Sequence, residues 1–256
     1  MSKKIQTAER VSQQDKSDNY VYQRSILAYV EAAKIISGNV LEIGTGSGYG
    51  IEMLSSRVDL FLTIDKFESA AGLKSSQEIE NVEFRQMSVP PLTGLPDNHF
   101  DFVVSFQVIE HIKDDVQYVK EIHRVLKKGG KFIVTTPNKN MSLTRNPWHI
   151  REYTIQELKD LLSIEFSSVY TLGVFGNDEV MKYYDENKRS VKKITRFDIF
   201  NLQYNMPRCI LQIPYDILNR MNRNKLSDKG VDITMKDYSV TPAKEGCIDL
   251  FYISEK

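Results

Sequence analysis

The sequence predicts an α/β protein with a doubly wound, mostly parallel, seven-stranded sheet and a helical insertion before the last strand. Three observations carry this. Short apolar runs alternate with segments of helical periodicity from residue 20 to residue 136, the order that βαβ units require. A glycine-rich turn, Gly44-Thr45-Gly46-Ser47-Gly48, follows the first apolar run directly. Beyond residue 175 the alternation stops for some 60 residues of helical periodicity and resumes only in Ile248 to Ile253.

Taken in order, residues 1–18 are polar and charged and read as a flexible arm with no apolar leader segment. Tyr22, Ile26, Tyr29, Val30, Ala33 and Ile36 recur at helical spacing, and Ser37-Gly38 stops that helix. Val40 to Ile43 is the first strand, and Tyr49 to Ser55 opens the next helix. Leu60 to Ile64 is the second strand, with a helix over 68–76 after it. Val82 to Gln86 alternates with period two, as a half-buried strand does. Pro90-Pro91 and Gly94-Leu95-Pro96 mark an irregular loop, and Asp101 to Phe106 is the fourth strand.

Ile109 to Leu126 reads as one long helix closed by Lys127-Lys128-Gly129, a basic last turn before a C-cap glycine. The fifth strand spans 131–136. Thr154 and Glu157 form a capping box ahead of a short helix, and the sixth strand spans 168–174. The seventh is 248–253. The organisation is therefore an arm (1–18), a core (19–175 and 236–256), and a helical insertion (176–235) broken at Pro207 and Pro214.

Composition narrows the class further. Lys plus Arg and Asp plus Glu both number 34, so the net charge gives no reason to expect nucleic acid or an anionic membrane as partner, an argument that does not reach a local basic patch. Cys209 and Cys247 stand far apart in no metal-ligand spacing, and no apolar stretch is long enough to span a bilayer. A cytoplasmic protein is expected.

A glycine turn between a strand and a helix lets backbone N–H groups approach a ligand. The dinucleotide fingerprint needs a small residue at position 49, which is Tyr49, and no Gly-Lys-Ser/Thr follows for a phosphate loop. This disfavours a nicotinamide oxidoreductase. Asp65 ends the second strand 21 positions past Gly44, where a carboxylate accepts bonds from ribose hydroxyls.

From Val40 to Phe166 the chain resembles the class I, Rossmann-like, S-adenosylmethionine-dependent methyltransferases. Four segments carry the resemblance in order: Val40 to Gly48, Ile64-Asp65, Phe100 to Ser105 with Val108-Ile109-Glu110-His111, and Arg124 to Phe132. The resemblance implies S-adenosylmethionine as cofactor, released as S-adenosylhomocysteine. It implies that Glu42, Gly44, Thr45, Gly46, Ser47 and Gly48 line its methionine part and that Asp65 holds the ribose. Met87 and Ser88 would flank the adenine, and Phe106 and Gln107 would face the sulfonium. Ser88 is a departure, because members often carry an Asp there, and a serine accepts the adenine amino group more weakly than a carboxylate.

Methyl transfer chiefly demands alignment of nucleophile, methyl and sulfur, and a general base is optional. His111 and His149 are the candidate bases, and His99 and His123 read as surface residues. Trp148, His149, Arg151 and Tyr153 resemble a substrate rim. Relatives that methylate RNA 3′ ends carry Glu-x-x-Glu-His after the fourth strand and bind a divalent ion. Gln107 replaces the first of those carboxylates here, so no metal is expected. The Asn/Asp-Pro-Pro-Tyr of DNA base methyltransferases is replaced by Ser105-Phe106-Gln107-Val108, which argues against DNA.

The expected function is methyl transfer to a small-molecule acceptor. Between Asp178 and Lys225 ten basic residues stand against six acidic ones among many aromatics, so the insertion is read as a substrate lid or a homodimer element. Asn146-Pro147-Trp148-His149, with Tyr20 to Arg24 upstream, loosely resembles methyltransferases of surface-polysaccharide synthesis, which adds a sugar- or lipid-linked acceptor to the alternatives. A noncatalytic cofactor-binding protein of the same fold is the other.

Overall fold

The apolar runs become neighbouring strands because each buries side chains on both faces of one sheet. The computed structural model describes residues 11, 15–196, 198, 201–227 and 233–256. β1 (Asn39–Ile43), β2 (Leu60–Asp65), β3 (Val82–Gln86), β4 (Phe100–Phe106) and β5 (Leu126–Pro137) are mutually parallel. β6 (Ser168–Gly176), β7 (Tyr238–Pro242) and β8 (Asp249–Glu255) join through antiparallel pairs, giving the order β3-β2-β1-β4-β5-β8-β6-β7.

The sheet thus has eight strands, not the seven expected. β7 went unread because it is an edge strand paired only to β6, short, ended by Pro242, and buried only at Tyr238.

Alternate residues of each strand face opposite layers. Leu41, Ile43, Leu62, Ile64 and Val103 meet α4 (Asp115–Val125) and α5 (Ile155–Leu162) on one face, once α1 (Asn19–Ala33), α2 (Ile51–Ser55) and α3 (Ala70–Glu78) have been passed in the chain. Val40, Phe61, Val104 and Ile133 meet α1 and α2 on the other. The insertion contributes α6 (Asp178–Thr195), α7 (Leu202–Asn205) and α8 (Arg208–Ser227). Among the described residues no helix is long and apolar enough to cross a membrane.

Three expectations need correction. The helix expected from Ile109 to Leu126 is a single 3-10 turn, Ile109–His111, followed by α4, because the Asp114 carboxylate accepts from Gln117 N–H and starts a new helix. The expected C-cap at Lys127-Lys128-Gly129 is instead the start of β5. Leu126 pairs with Phe100, and Gly129 and Gly130 exchange backbone bonds with Lys256, so sheet pairing captures the segment. Pro214 does not break the insertion but lies inside α8. Thr154 and Glu157 do form the reciprocal capping box.

Residues 1–10 and 12–14 of the expected arm lie outside the described residues. Its last four are docked. Asp15 caps the turn Lys16–Asp18, and Asp15 and the fully buried Asp18 both pair with Arg220 of α8, at 2.8 and 3.0 Å, while Arg223 reaches Asp18 at 2.9 Å.

Candidate active site

The carboxyl ends of β1, β2, β4 and β5 open into one cavity of about 1580 Å³, roofed by the insertion. Ligands of open α/β sheets bind at this end, near the switch in strand order between β1 and β4.

The glycine loop leaving β1 is held at two points and open between them. A Cβ on Gly44 (φ +99°) would lie 2.4 Å from Val108 Cγ2, and one on Gly48 (φ +75°) 2.5 Å from Ala71 Cβ. A Cβ on Gly46 (φ +54°) would meet nothing within 4 Å. Gly46 N–H donates to Asp65 Oδ2 at 2.9 Å, and Phe67 N–H donates to Oδ1 at 2.9 Å. The Asp65 carboxylate is therefore fixed at the cavity edge with lone pairs remaining on both oxygens.

Behind the loop lies a buried chain of polar groups. Thr45 Oγ1 is 2.7 Å from Thr63 Oγ1, Thr63 donates to Glu42, and Tyr29 Oη donates to Glu42 at 2.8 Å. Burial pushes the Glu42 carboxyl up to about 7, against the two hydroxyls that favour its ionised form. Glu42 does not reach the cavity wall and acts as an anchor under the loop. Gly48 is also off the wall, because its α carbon packs on α3.

Gly44, Thr45, Gly46, Ser47, Asp65, Met87, Ser88, Phe106 and Gln107 line the cavity, as do His111, Trp148 and His149. Gln107 follows β4 with φ +58°, a left-handed conformation that a non-glycine residue holds at some cost. Two residues expected at the substrate rim are not on the wall. Tyr153 is fully buried and donates to Asp115 Oδ2 at 2.9 Å, and Arg151 pairs with the same oxygen at 2.9 Å. Asp115 opens α4, so both residues tie the loop after β5 to that helix.

The two histidines converge. Their ring centroids are 5.1 Å apart, and His111, His149 and the buried Glu110 each bring one ligand-type atom within 4.8 Å of the others. His111 Nδ1 is 3.0 Å from the Trp148 carbonyl oxygen. His149 Nδ1 is 2.7 Å from Glu152 Oε1, and its Nε2 is 2.9 Å from the Asn146 amide nitrogen. Thr136 Oγ1 donates to Glu110 at 3.0 Å, and burial raises the Glu110 carboxyl above its ordinary value.

A second group lines the cavity: Tyr20 and Arg24 on α1, which the sequence singled out only through a loose resemblance, and Tyr29 on α1 with Tyr183, Tyr184 and Asn187 on α6, which sequence reading missed. Tyr20 stacks on Tyr183 with centroids 4.4 Å apart, and Arg24 Nε pairs with the buried Asp249 at 3.3 Å.

The donor set suits S-adenosylmethionine. A loop open only at Gly46, a carboxylate with spare lone pairs at the end of β2, and the apolar Phe106 and Met87 match an amphipathic nucleoside thioether better than a pyrophosphate. A family model described as a methyltransferase domain matches residues 41–134. A probable S-adenosylmethionine-dependent methyltransferase from Mycolicibacterium smegmatis is 30% identical over 250 residues, covering 95% of this chain and 90% of the relative. A ubiquinone biosynthesis O-methyltransferase from Pseudomonas syringae is 28% identical over 113 residues, 43% of this chain and 49% of its own. The crystal structure of the YcgJ protein from Bacillus subtilis shares the fold, with a TM-score of 0.54 and 18% identity over 91% of this chain and 98% of that one. The chain belongs to the S-adenosylmethionine-dependent methyltransferases, enzymes whose methyl donor is S-adenosylmethionine.

Proposed function

We propose that the enzyme methylates a hydroxyl group of a small-molecule acceptor held beneath α6–α8, with His111 as general base. The observation that carries this reading is the pairing of His111 Nδ1 with the Trp148 carbonyl. A carbonyl only accepts, so the neutral ring carries its proton on Nδ1 and its basic lone pair on Nε2.

S-adenosylmethionine bound here would supply a sulfonium-bound methyl, and a carbon–oxygen bond formed to it would break the carbon–sulfur bond and release a neutral thioether. A hydroxyl is a poor nucleophile at neutral pH, and removing its proton is where a base helps. His111 Nε2 takes that proton. Glu110, buried beside it, stabilises the imidazolium that results. Phe106 and Gln107 close the strand-end side of the cavity, and Trp148, held by a bond from its Nε1 to Asp216 of α8 at 3.0 Å, closes the other against water.

The same cluster is read as proton-handling and not metal-binding. Both ring nitrogens of His149 are engaged, by Glu152 and by Asn146, so ligating an ion through it would sacrifice one of those contacts. The Pseudomonas syringae relative is an O-methyltransferase by name, which supports an oxygen acceptor. The test uses methyl-13C S-adenosylmethionine and a fractionated metabolite extract. The carbon shift of the transferred methyl should be that of an ether. A label appearing only on nitrogen or carbon would overturn the oxygen assignment, and no transfer from any fraction would favour a noncatalytic cofactor-binding protein.

A further inference from the structure

We propose that the outer face of α8 docks on the surface of an anionic lipid bilayer. A surface helix normally buries its apolar stripe and wets its polar one. α8 does the reverse. Ile210, Ile213, Ile217 and Met221 follow one another at helical spacing and are 53, 65, 54 and 64% exposed. The polar residues face inward: Asp216 accepts from Trp148, Arg220 and Arg223 reach Asp18, and Asn222 donates to Asn187. Packing against the described residues therefore does not explain the apolar row, and a contiguous exposed row of this kind marks an interaction surface.

Charge identifies the occupant. Lys225 continues the row one turn past Met221, and Arg189 and Lys193 of α6 share a small cleft with it, together with Glu186. From residue 188 to residue 196 every exposed charge is positive: Lys188, Arg189, Lys192 and Lys193 on α6, and Arg196 just past its end. An apolar helical row flanked by Lys and Arg lies in the plane of an anionic headgroup layer, with the row among the acyl chains and the cations at the phosphates. A second copy of the same basic face offers no acidic complement to these cations.

The row is continuous with the cavity. Pro214 and Leu218, the next residues around α8, line it, and so do the exposed Ile194 and Leu202. An apolar rim of this kind lets an amphiphile pass from the bilayer into the site. The acceptor is then a membrane-borne amphiphile bearing a hydroxyl, a consequence that rests on the proposed methyl transfer, whereas the docking surface does not.

The test is co-sedimentation of the full chain with vesicles of equimolar phosphatidylcholine and phosphatidylglycerol, against phosphatidylcholine alone. The protein should sediment with the anionic vesicles and be released by high salt. The double variant Ile213→Asp, Ile217→Asp should lose at least tenfold in binding with its melting temperature and S-adenosylmethionine affinity unchanged. The variant Lys188→Glu, Lys192→Glu should lose binding to anionic vesicles specifically. Wild-type protein remaining in the supernatant would overturn the proposal. So would a wild-type dimer, seen by light scattering, that the isoleucine variant converts to monomer. Vesicle binding without any methyl transfer would leave the docking surface standing and sink only the acceptor reading.

Discussion

The two walls of the cavity are built by opposite rules. The wall at the strand ends hangs from the sheet core: Ile43, Ile64 and Val104 are buried beneath it, and the glycine-loop backbone lines it together with Asp65, Met87 and Phe106. The wall beneath α6–α8 is held by charge and amide contacts, Arg220 and Arg223 on Asp18, Trp148 on Asp216, and Asn222 on Asn187, while Ile210, Ile213, Ile217 and Met221 of α8 are exposed. The first wall is fixed by burial, which is insensitive to salt and largely common to any ligand. The second is fixed by pairs that a change of ligand, salt or surface can trade. Under the proposed reading the first wall would hold the cofactor in a fixed geometry and the second would adjust to the acceptor.

The comparison breaks most readily at the histidines, which stand where the walls meet. His111→Ala should lower kcat by about 10²–10⁴-fold, the scale of a lost general base, with S-adenosylmethionine affinity unchanged and no sensitivity to chelators in the parent enzyme. A variant with undiminished kcat would move the chemistry off the cluster and leave alignment alone to account for it.

Next in size is the buried acid under the first wall. Glu42 is held protonated up to about 7 in the folded chain, while its unfolded value is near 4.5. Its contribution is fully present below the unfolded value and is lost as pH rises through the folded one. Stability should therefore fall by about 3 kcal/mol between those limits. In Glu42→Gln the amide can still bond Thr63 and Tyr29, and the fall should shrink when denaturant midpoints are compared across that window. Glu110 and Asp249 are raised by burial too, so a residual slope remains. A slope identical to wild type would show that Glu42 is ionised in the fold.

Asp65→Ala should weaken S-adenosylmethionine binding by about 1–3 kcal/mol, the cost of removing a hydrogen-bonding partner, measured by calorimetry. Its two backbone donors, Gly46 and Phe67, would be left for water. Equal affinity would remove the ribose from this corner of the cavity.

Legibility in the sequence followed the same divide. Strand alternation, the 44-46-48 glycine spacing and the acid at 65 are local patterns fixed by backbone geometry, so β1 to β6, β8 and the residues that converge at the strand-end wall of the cavity could be read in order. Long-range pairing could not. Leu126 to Gly130 carries the pattern of a helix terminus and becomes a strand only because Phe100 and Lys256 pair with it. Tyr153 has the composition of a substrate rim and is instead bonded to Asp115, 38 residues earlier. Tyr20 and Arg24 reach the cavity because Tyr183 and Asp249 hold them there, partners more than 160 residues away that no spacing rule announces. α8 was the hardest to read, since periodicity locates an apolar face without saying which side is wet.

That reversal yields the smallest expected effect and the most direct probe of how the second wall is built. Ile217 is buried like a core residue in any reading that packs the apolar stripe of α8 inward, and Ile217→Gln would then cost several kcal/mol through a cavity and a buried amide. With the side chain 54% exposed, the same substitution should change stability by less than about 0.5 kcal/mol in the free protein. Gln also carries a better helix propensity than Ile, which works in the same direction. A small loss, or a slight gain, in the urea midpoint would fit a helix held by Asp216, Arg220, Asn222 and Arg223. A loss of several kcal/mol would mean that α8 turns its apolar row inward and that its polar contacts, not its isoleucines, face the solvent.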